Sequence, residues 1–139
     1  MRDLMNRTIT FVALLSCLIL SGCIDDVSNH DLDGATLIGS FMRGGPLALP
    51  APTQVVLNFG DGTFEGYSDN PKNPAICKGT YSQTGSKITF KNTCAFTADF
   101  DWTLILDGEY TYEKDGNSIY IRRSYENENI DLYDLEISN

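Results

Sequence analysis

Residues 77–94, CKGTYSQTGSKITFKNTC, specify their own strand pairing. Gly85-Ser86 stands at the centre, between two runs whose side chains alternate in character. A two-residue type II′ turn takes Gly first, which makes Thr84 and Lys87 the flanking pair. Counting outward, Gln83 meets Ile88, Tyr81 meets Phe90, Gly79 meets Asn92 and Cys77 meets Cys94. Hydrogen-bonded and open pairs alternate along such a ladder. The two cysteines therefore fall at an open pair with Cα atoms about 4.5 Å apart, within disulfide reach. A turn glycine, an aromatic pair and two sulfurs agree on one register, and we expect a Cys77–Cys94 disulfide. A metal pair or a redox pair has no support, since there is no Cys-x-x-Cys and no histidine nearby.

The same pattern of short β-type runs and Gly/Asp/Asn turns continues in both directions. The runs are 36–42, 54–59, 63–68, 77–83, 87–92, 109–114, 118–124 and 130–137. They predict a mainly β, antiparallel meander or barrel of about eight strands. An Asp61-Gly62 type I′ turn pairs Phe59 with Phe64 and Leu57 with Gly66. Val55, Leu57 and Phe59 then share one face, and Asn58, Thr63 and Glu65 the other. An Asp115-Gly116 turn puts Tyr112 opposite Ile119 and Tyr110 opposite Ile121, with a one-residue slip open. Residues 43–53 and 69–76 hold the five prolines and read as loops. Residues 94–107 are ambiguous: Phe96, Phe100 and Leu104 have helical spacing, whereas Trp102, Leu104 and Leu106 alternate. The reading is a short helical or irregular stretch near 96–100 leading into a strand at 102–106.

Composition agrees with one folded domain. The chain has 139 residues, 42% hydrophobic, 21% charged and 11% aromatic, too apolar for a disordered tail. The formal charge of −9 argues against nucleic acid or an anionic membrane surface as the main partner.

Residues 1–22 stand apart. Arg2 and Arg7 precede an apolar run, Ile9 to Leu20, that is short of the roughly 20 residues a spanning helix needs. Leu20-Ser21-Gly22-Cys23 follows, and it resembles the lipoprotein box of bacterial signal peptides. The resemblance implies cleavage before Cys23 and acylation of its thiol; an ordinary signal peptide with a free Cys23 is the other reading. Cys17 leaves with the signal, so acylation of Cys23 leaves Cys77 and Cys94 an even pair. More than one acyl chain gives stable anchoring, so the membrane is a partner through the N-terminal lipid. Ile24 in place of the Asp that retains enteric lipoproteins in the inner membrane favours the outer membrane. Asp25-Asp26 reads as a solvated acidic tether or as a surface-export tag. Residues 23–34 are read as lipidated Cys and spacer, and 35–139 as the domain. Loss of Arg2, Arg7 and Asp3 leaves 8 basic residues against 18 acids.

The domain resembles the META domain of HslJ-type heat-shock lipoproteins and secreted bacterial proteins. The resemblance is carried by Leu57, Phe59, Gly62, Gly66, Gly79, Tyr81, Gly85, Ile88, Phe90, Thr93-Cys94, Tyr112, Gly116 and Ile119. Departures exist: Tyr67-Ser-Asp-Asn replaces the family's Gly-Cys-Asn, and its Met-Ala-Cys is reduced to Thr93-Cys94. A lipocalin-like or avidin-like small barrel is the rival. Neither resemblance implies a catalytic residue or a cofactor.

Chemistry-bearing patterns are sparse. His30, the single histidine, sits in the spacer, which removes His-based catalysis. The carboxylate pairs Asp99/Asp101, Asp107/Glu109, Glu126/Glu128 and Asp131/Asp134 read as solvated acids in an acidic chain. Asp99, Asp101 and Asp107 could offer oxygen ligands to a hard cation, but without EF-hand spacing, and no metal site is assigned. Trp102, Tyr110, Tyr112 and Tyr120, with Tyr125 and Tyr133, either line a barrel mouth that stacks a small ligand or form ordinary core and cross-strand pairs. The expected function is a non-enzymatic, lipid-anchored cell-envelope protein, acting in envelope maintenance or protein contact. A lipocalin-like binder of a small apolar or aromatic ligand is the alternative; an envelope hydrolase ranks last.

Overall fold

The 77–94 hairpin forms in the expected register, with Tyr81 opposite Phe90 and Gly79 opposite Asn92. The structure, a computed structural model, describes residues 31–46, 51–97 and 99–138. The signal segment, Cys23 and residues 24–30 of the spacer lie outside the described residues. Eight antiparallel strands close into one barrel in chain order: β1 (Thr36–Gly44), β2 (Thr53–Phe59), β3 (Thr63–Ser68), β4 (Lys78–Thr84), β5 (Lys87–Asn92), β6 (Gly108–Asp115), β7 (Ser118–Ser124) and β8 (Ile130–Ser138). β8 pairs along the length of β1, so the sheet has no free edge. The connections divide by end. Turns of two or three residues join β2–β3, β4–β5 and β6–β7 at the turn end, where the chain also enters. The longer connections join β1–β2, β3–β4, β5–β6 and β7–β8 at the opposite, loop end.

Three details differ from expectation. In the β2–β3 turn only Gly62 takes positive φ, whereas type I′ would require it of Asp61 too; the Phe59–Phe64 register holds nonetheless. In the β6–β7 hairpin Asp115 pairs with Ser118 and Tyr112 with Ile121. The turn is therefore Gly116-Asn117, with Gly116 at φ 60°. Glycine first is again the arrangement, as at Gly85-Ser86. Moving the turn centre by one residue moves every partner by two, so the inward and outward faces are preserved. The expected strand at 102–106 does not form: Trp102–Leu104 is a single 3-10 turn, and the described residues of 93–100 form no helix. Leu104 and Leu106 alternate because the segment lies across the barrel mouth. It clasps the β3–β4 loop there, through Ala75 N–H to Leu104 O and Leu106 N–H to Ala75 O, each 3.0 Å. The Cys77–Cys94 disulfide ties the same two loops at their bases. Its Cα atoms stand 6.3 Å apart, wider than an open ladder pair, because regular pairing stops at Gly79–Asn92.

The interior is filled. An eight-stranded barrel is just wide enough for inward side chains to meet. Here they form a chain of rings from Phe41 to Tyr133 (centroids 4.7 Å), Tyr110 (6.1 Å) and Phe90 (5.8 Å). From Phe90 it continues to Phe64 at 5.0 Å, while Phe59 packs on Tyr81 at 4.8 Å. Leu37, Leu57, Ile88, Ile119, Ile121 and Leu135 fill between them, each fully buried. Leu32 is fully buried too and belongs to this cluster. Residues 31–34 thus close the turn end as part of the domain, with Asp33 accepting a 2.6 Å hydrogen bond from the Tyr81 hydroxyl. Crowding also fixes Gly79, where a Cβ would lie 2.0 Å from the Lys91 carbonyl oxygen.

Two predictions follow from this interior. Cys77→Ser with Cys94→Ser should cost up to about 3 kcal/mol of unfolding free energy in the chain-entropy account. Hydrogen exchange should accelerate first at 69–77 and 93–106; unchanged protection there would show that the clasp holds without the bridge. Separately, burial raises the phenols of Tyr81, Tyr110, Tyr112 and Tyr133 above their usual value of 10.0. A raised acid favours the neutral form in the fold, so this stability is complete below pH 10 and is lost as pH rises above it. Each phenol adds about 1.4 kcal/mol per pH unit to the fall. Urea midpoints between pH 9 and 11.5 measure it, and a flat profile would refute the linkage.

Candidate functional site

The inward rows that carry the core end in charge at the loop end. On β1 the row runs Leu37, Gly39, Phe41, then Arg43; on β8 it runs back from Leu135 through Tyr133 to Asp131; on β7 it runs Ile119, Ile121, then Arg123. The residue is 1% exposed at Asp131. A carboxylate so buried is tolerated only when its charge is matched and its oxygens are hydrogen-bonded. Arg43 supplies both, with Nε 2.5 Å from Oδ1 and Nη2 2.7 Å from Oδ2, a bidentate pair. The Tyr125 hydroxyl donates to Oδ2 at 2.7 Å and accepts from Arg43 Nη2 and Arg123 Nε. Desolvation alone would lower the Arg43 pKa; the hydrogen bond and charge of Asp131 overcome it and raise the guanidinium. Burial followed by the Asp131 hydrogen bond raises the Tyr125 phenol.

The remaining donors hold the β5–β6 loop. Arg43 Nη1 reaches Thr103 Oγ1 at 2.7 Å and Asp101 Oδ2 at 3.1 Å, and its Nη2 reaches the Thr103 carbonyl at 2.8 Å. Arg123 donates to the carbonyls of Asp107 (2.6 Å) and Thr103 (3.2 Å), its guanidinium lying 4.4 Å above the Tyr110 ring. Asp101 caps the 3-10 turn. The Thr103 hydroxyl and then its amide hold the Asp101 carboxyl below its usual value, with Arg43 adding to the effect. Every oxygen of Asp131 is engaged and both guanidiniums are spent, so this cluster is a latch that positions a loop, not an acid–base pair.

What the latch presents is Trp102, between gripped Asp101 and Thr103. The residue is 56% exposed, and its ring lies parallel to that of Phe100, centroids 6.0 Å apart and planes within 9°. Phe96 meets Phe100 edge-on at 5.5 Å. The other aromatic candidates do not join it. Tyr110 and Tyr112 are core residues, and half-buried Tyr120 lies on the outer face of β7 opposite Glu113 and Asp134. The four do not converge on one ligand site. Among the described residues no three acids, histidines or cysteines gather as a metal cluster, so Asp99, Asp101 and Asp107 are not brought together as ligands. An open groove of about 510 Å³ lies on the outer face of β2–β4, walled by polar and charged side chains such as Thr63, Glu65, Lys78 and Thr80. Sequence reading passed over Arg43, Arg123 and Asp131 as a group. The signal was their parity, two residues beyond Phe41, Ile121 and before Tyr133. No protein-family model, curated protein or solved structure matches the chain.

Arg43→Met should cost up to about 3–5 kcal/mol, because it removes the bidentate partner and leaves buried Asp131 with only the Tyr125 hydroxyl and Arg123 Nη2 at 4.0 Å. Arg43→Met combined with Asp131→Leu should recover much of that loss, as apolar replacement of a whole buried pair does. Urea unfolding of the single and double variants tests this. A double variant as unstable as the single one would mean that the pair acts through something other than mutual neutralisation.

Proposed function

We propose that this is a lipid-anchored, non-enzymatic protein of the bacterial cell envelope that works by contact through the loop end of its barrel. The observation that supports it most is polar asymmetry. The chain enters at the tight-turn end through Leu32, while the four longer connections and exposed Trp102 occupy the other end. Seven residues, 24–30, separate Cys23 from Asp31, eight chain steps that reach at most about 29 Å if extended. An acyl group on Cys23 would therefore draw the turn end toward the membrane and leave the loops facing outward. The acidic excess opposes lying flat on anionic headgroups. The ring-filled axis weighs against a lipocalin-like carrier, whose ligand would need that volume. The META resemblance belongs to this reading without adding a site. Its apolar and aromatic positions, among them Leu57, Phe59, Tyr81, Ile88, Phe90 and Ile119, are buried core positions that a barrel needs in any case. Placement in the outer membrane rests on Ile24 after the acylated residue.

Palmitate labelling in the host should mark the protein, and Cys23→Ser should abolish the label and release it from the membrane fraction. A photo-cross-linking residue at position 99 should capture envelope protein where one at position 114, at the turn end, does not. An unlabelled protein, or equal capture from both ends, would overturn the proposal.

A further inference from the structure

We propose that the loop end takes an arginine-bearing segment of a partner protein, its guanidinium laid on the open face of Trp102; this rests on the contact reading above. The ring is preformed. Phe100 lies parallel to it at an offset, centroids 6.0 Å apart, and Phe96 braces Phe100, so the indole is held on one side while 56% of the residue stays exposed. Arg43 grips the residues on both sides of it, so little freedom is left to lose on binding. The charges around it are acidic. Exposed Asp99 and Asp101 flank Phe100, Asp107 follows, and Glu126 and Glu128 project from the β7–β8 loop at the same end. The two cations nearest, Arg43 and Arg123, are already engaged with Asp131, Tyr125 and loop carbonyls. Lys72, in the β3–β4 loop that this segment clasps, and Lys78 and Lys91, at the loop-end termini of β4 and β5, are the other cations of that end. Asp101 is already matched by Arg43, whereas Asp99, Glu126 and Glu128 are exposed; an exposed indole beside such carboxylates selects a cation, and a flat guanidinium stacks on it better than a compact ammonium. A neutral sugar would use the ring and leave the acids idle; an anionic membrane surface would be repelled by them.

Trp102 is the only tryptophan, so its emission reports the site directly. The intact protein in non-ionic detergent is titrated with acetyl-triarginine amide, acetyl-trilysine amide and chitohexaose. The arginine peptide should change the emission saturably and bind about five-fold more tightly than the lysine peptide. Asp99→Asn should weaken it at least two-fold, and Trp102→Leu, followed by calorimetry, should remove the arginine preference while the melting temperature stays within a few degrees. Equal affinity for both peptides, preference for the sugar, or no saturable change would overturn the proposal. If loop-end cross-links persist while the arginine peptide fails, the choice of a cation is wrong and the contact reading stands.

Discussion

A carboxylate buried at the mouth of an apolar barrel constrains all that surrounds it. Arg43 meets both oxygens of Asp131, Tyr125 bonds one of them, and Arg123 Nη2 stands 4.0 Å from the same one. Those partners are drawn inward, and their spare donors must be satisfied in turn. The nearest acceptors are on the β5–β6 loop, so the Thr103 and Asp107 carbonyls and the Asp101 carboxylate are pulled over the mouth. Leu106 is thereby pressed into the core and Trp102 turned out of it. The pair stabilises the fold little for its own sake, since desolvation offsets most of its attraction. Its consequence is geometric: one conformation is chosen for a long loop that would otherwise have several.

The second constraint is volume. Rings of Phe41, Tyr133, Tyr110, Phe90, Phe64, Phe59 and Tyr81 occupy the axis, and the strands around them approach closely at glycines. A Cβ on Gly39 would sit 2.1 Å from the Asp134 carbonyl oxygen, much as at Gly79. Such an interior transmits strain. One weak point is polar: the Gln83 amide oxygen and the Tyr112 hydroxyl are buried without completing a hydrogen bond. Burial raises the Tyr112 phenol, and the Gln83 side chain beside it acts in the opposite direction without cancelling the effect. The contacts we propose therefore fall to its loops and outer surface.

Pairing was legible where a turn glycine and inward aromatics had to agree, as in β2–β3 and β4–β5. It was less legible at β6–β7, where Asp115-Gly116 and Gly116-Asn117 both suit a turn. The two choices give the same facing, so side-chain burial does not separate them locally; the pairing of Ser118 with Glu136 across β7–β8 accompanies the longer β6. The segment 102–106 was misread for a different reason. Its alternation of apolar residues is real, but it arises from one side of a loop packing on the mouth and not from a ladder. Leu32 was hidden by its acidic neighbours, since a single apolar residue among aspartates has no periodicity to betray a buried role.

The latch was illegible in local sequence because Arg43 and Asp131 stand 88 positions apart and meet only when β8 closes on β1. Their parity with Phe41 and Tyr133 is visible only once a closed barrel is assumed. Arg43 was read into the loop with the prolines that follow it, Pro46, Pro50 and Pro52, and charge on an inward row normally argues against a strand assignment as well. In a closed barrel it argues for something else: the last inward position lies at the rim, where a charged head can leave the core and engage whatever crosses the opening. The rim is thus the place where the demands of folding and of presentation coincide. The same guanidinium that neutralises Asp131 fixes the residues on either side of the exposed indole, so closing this barrel and shaping its outer face are one event.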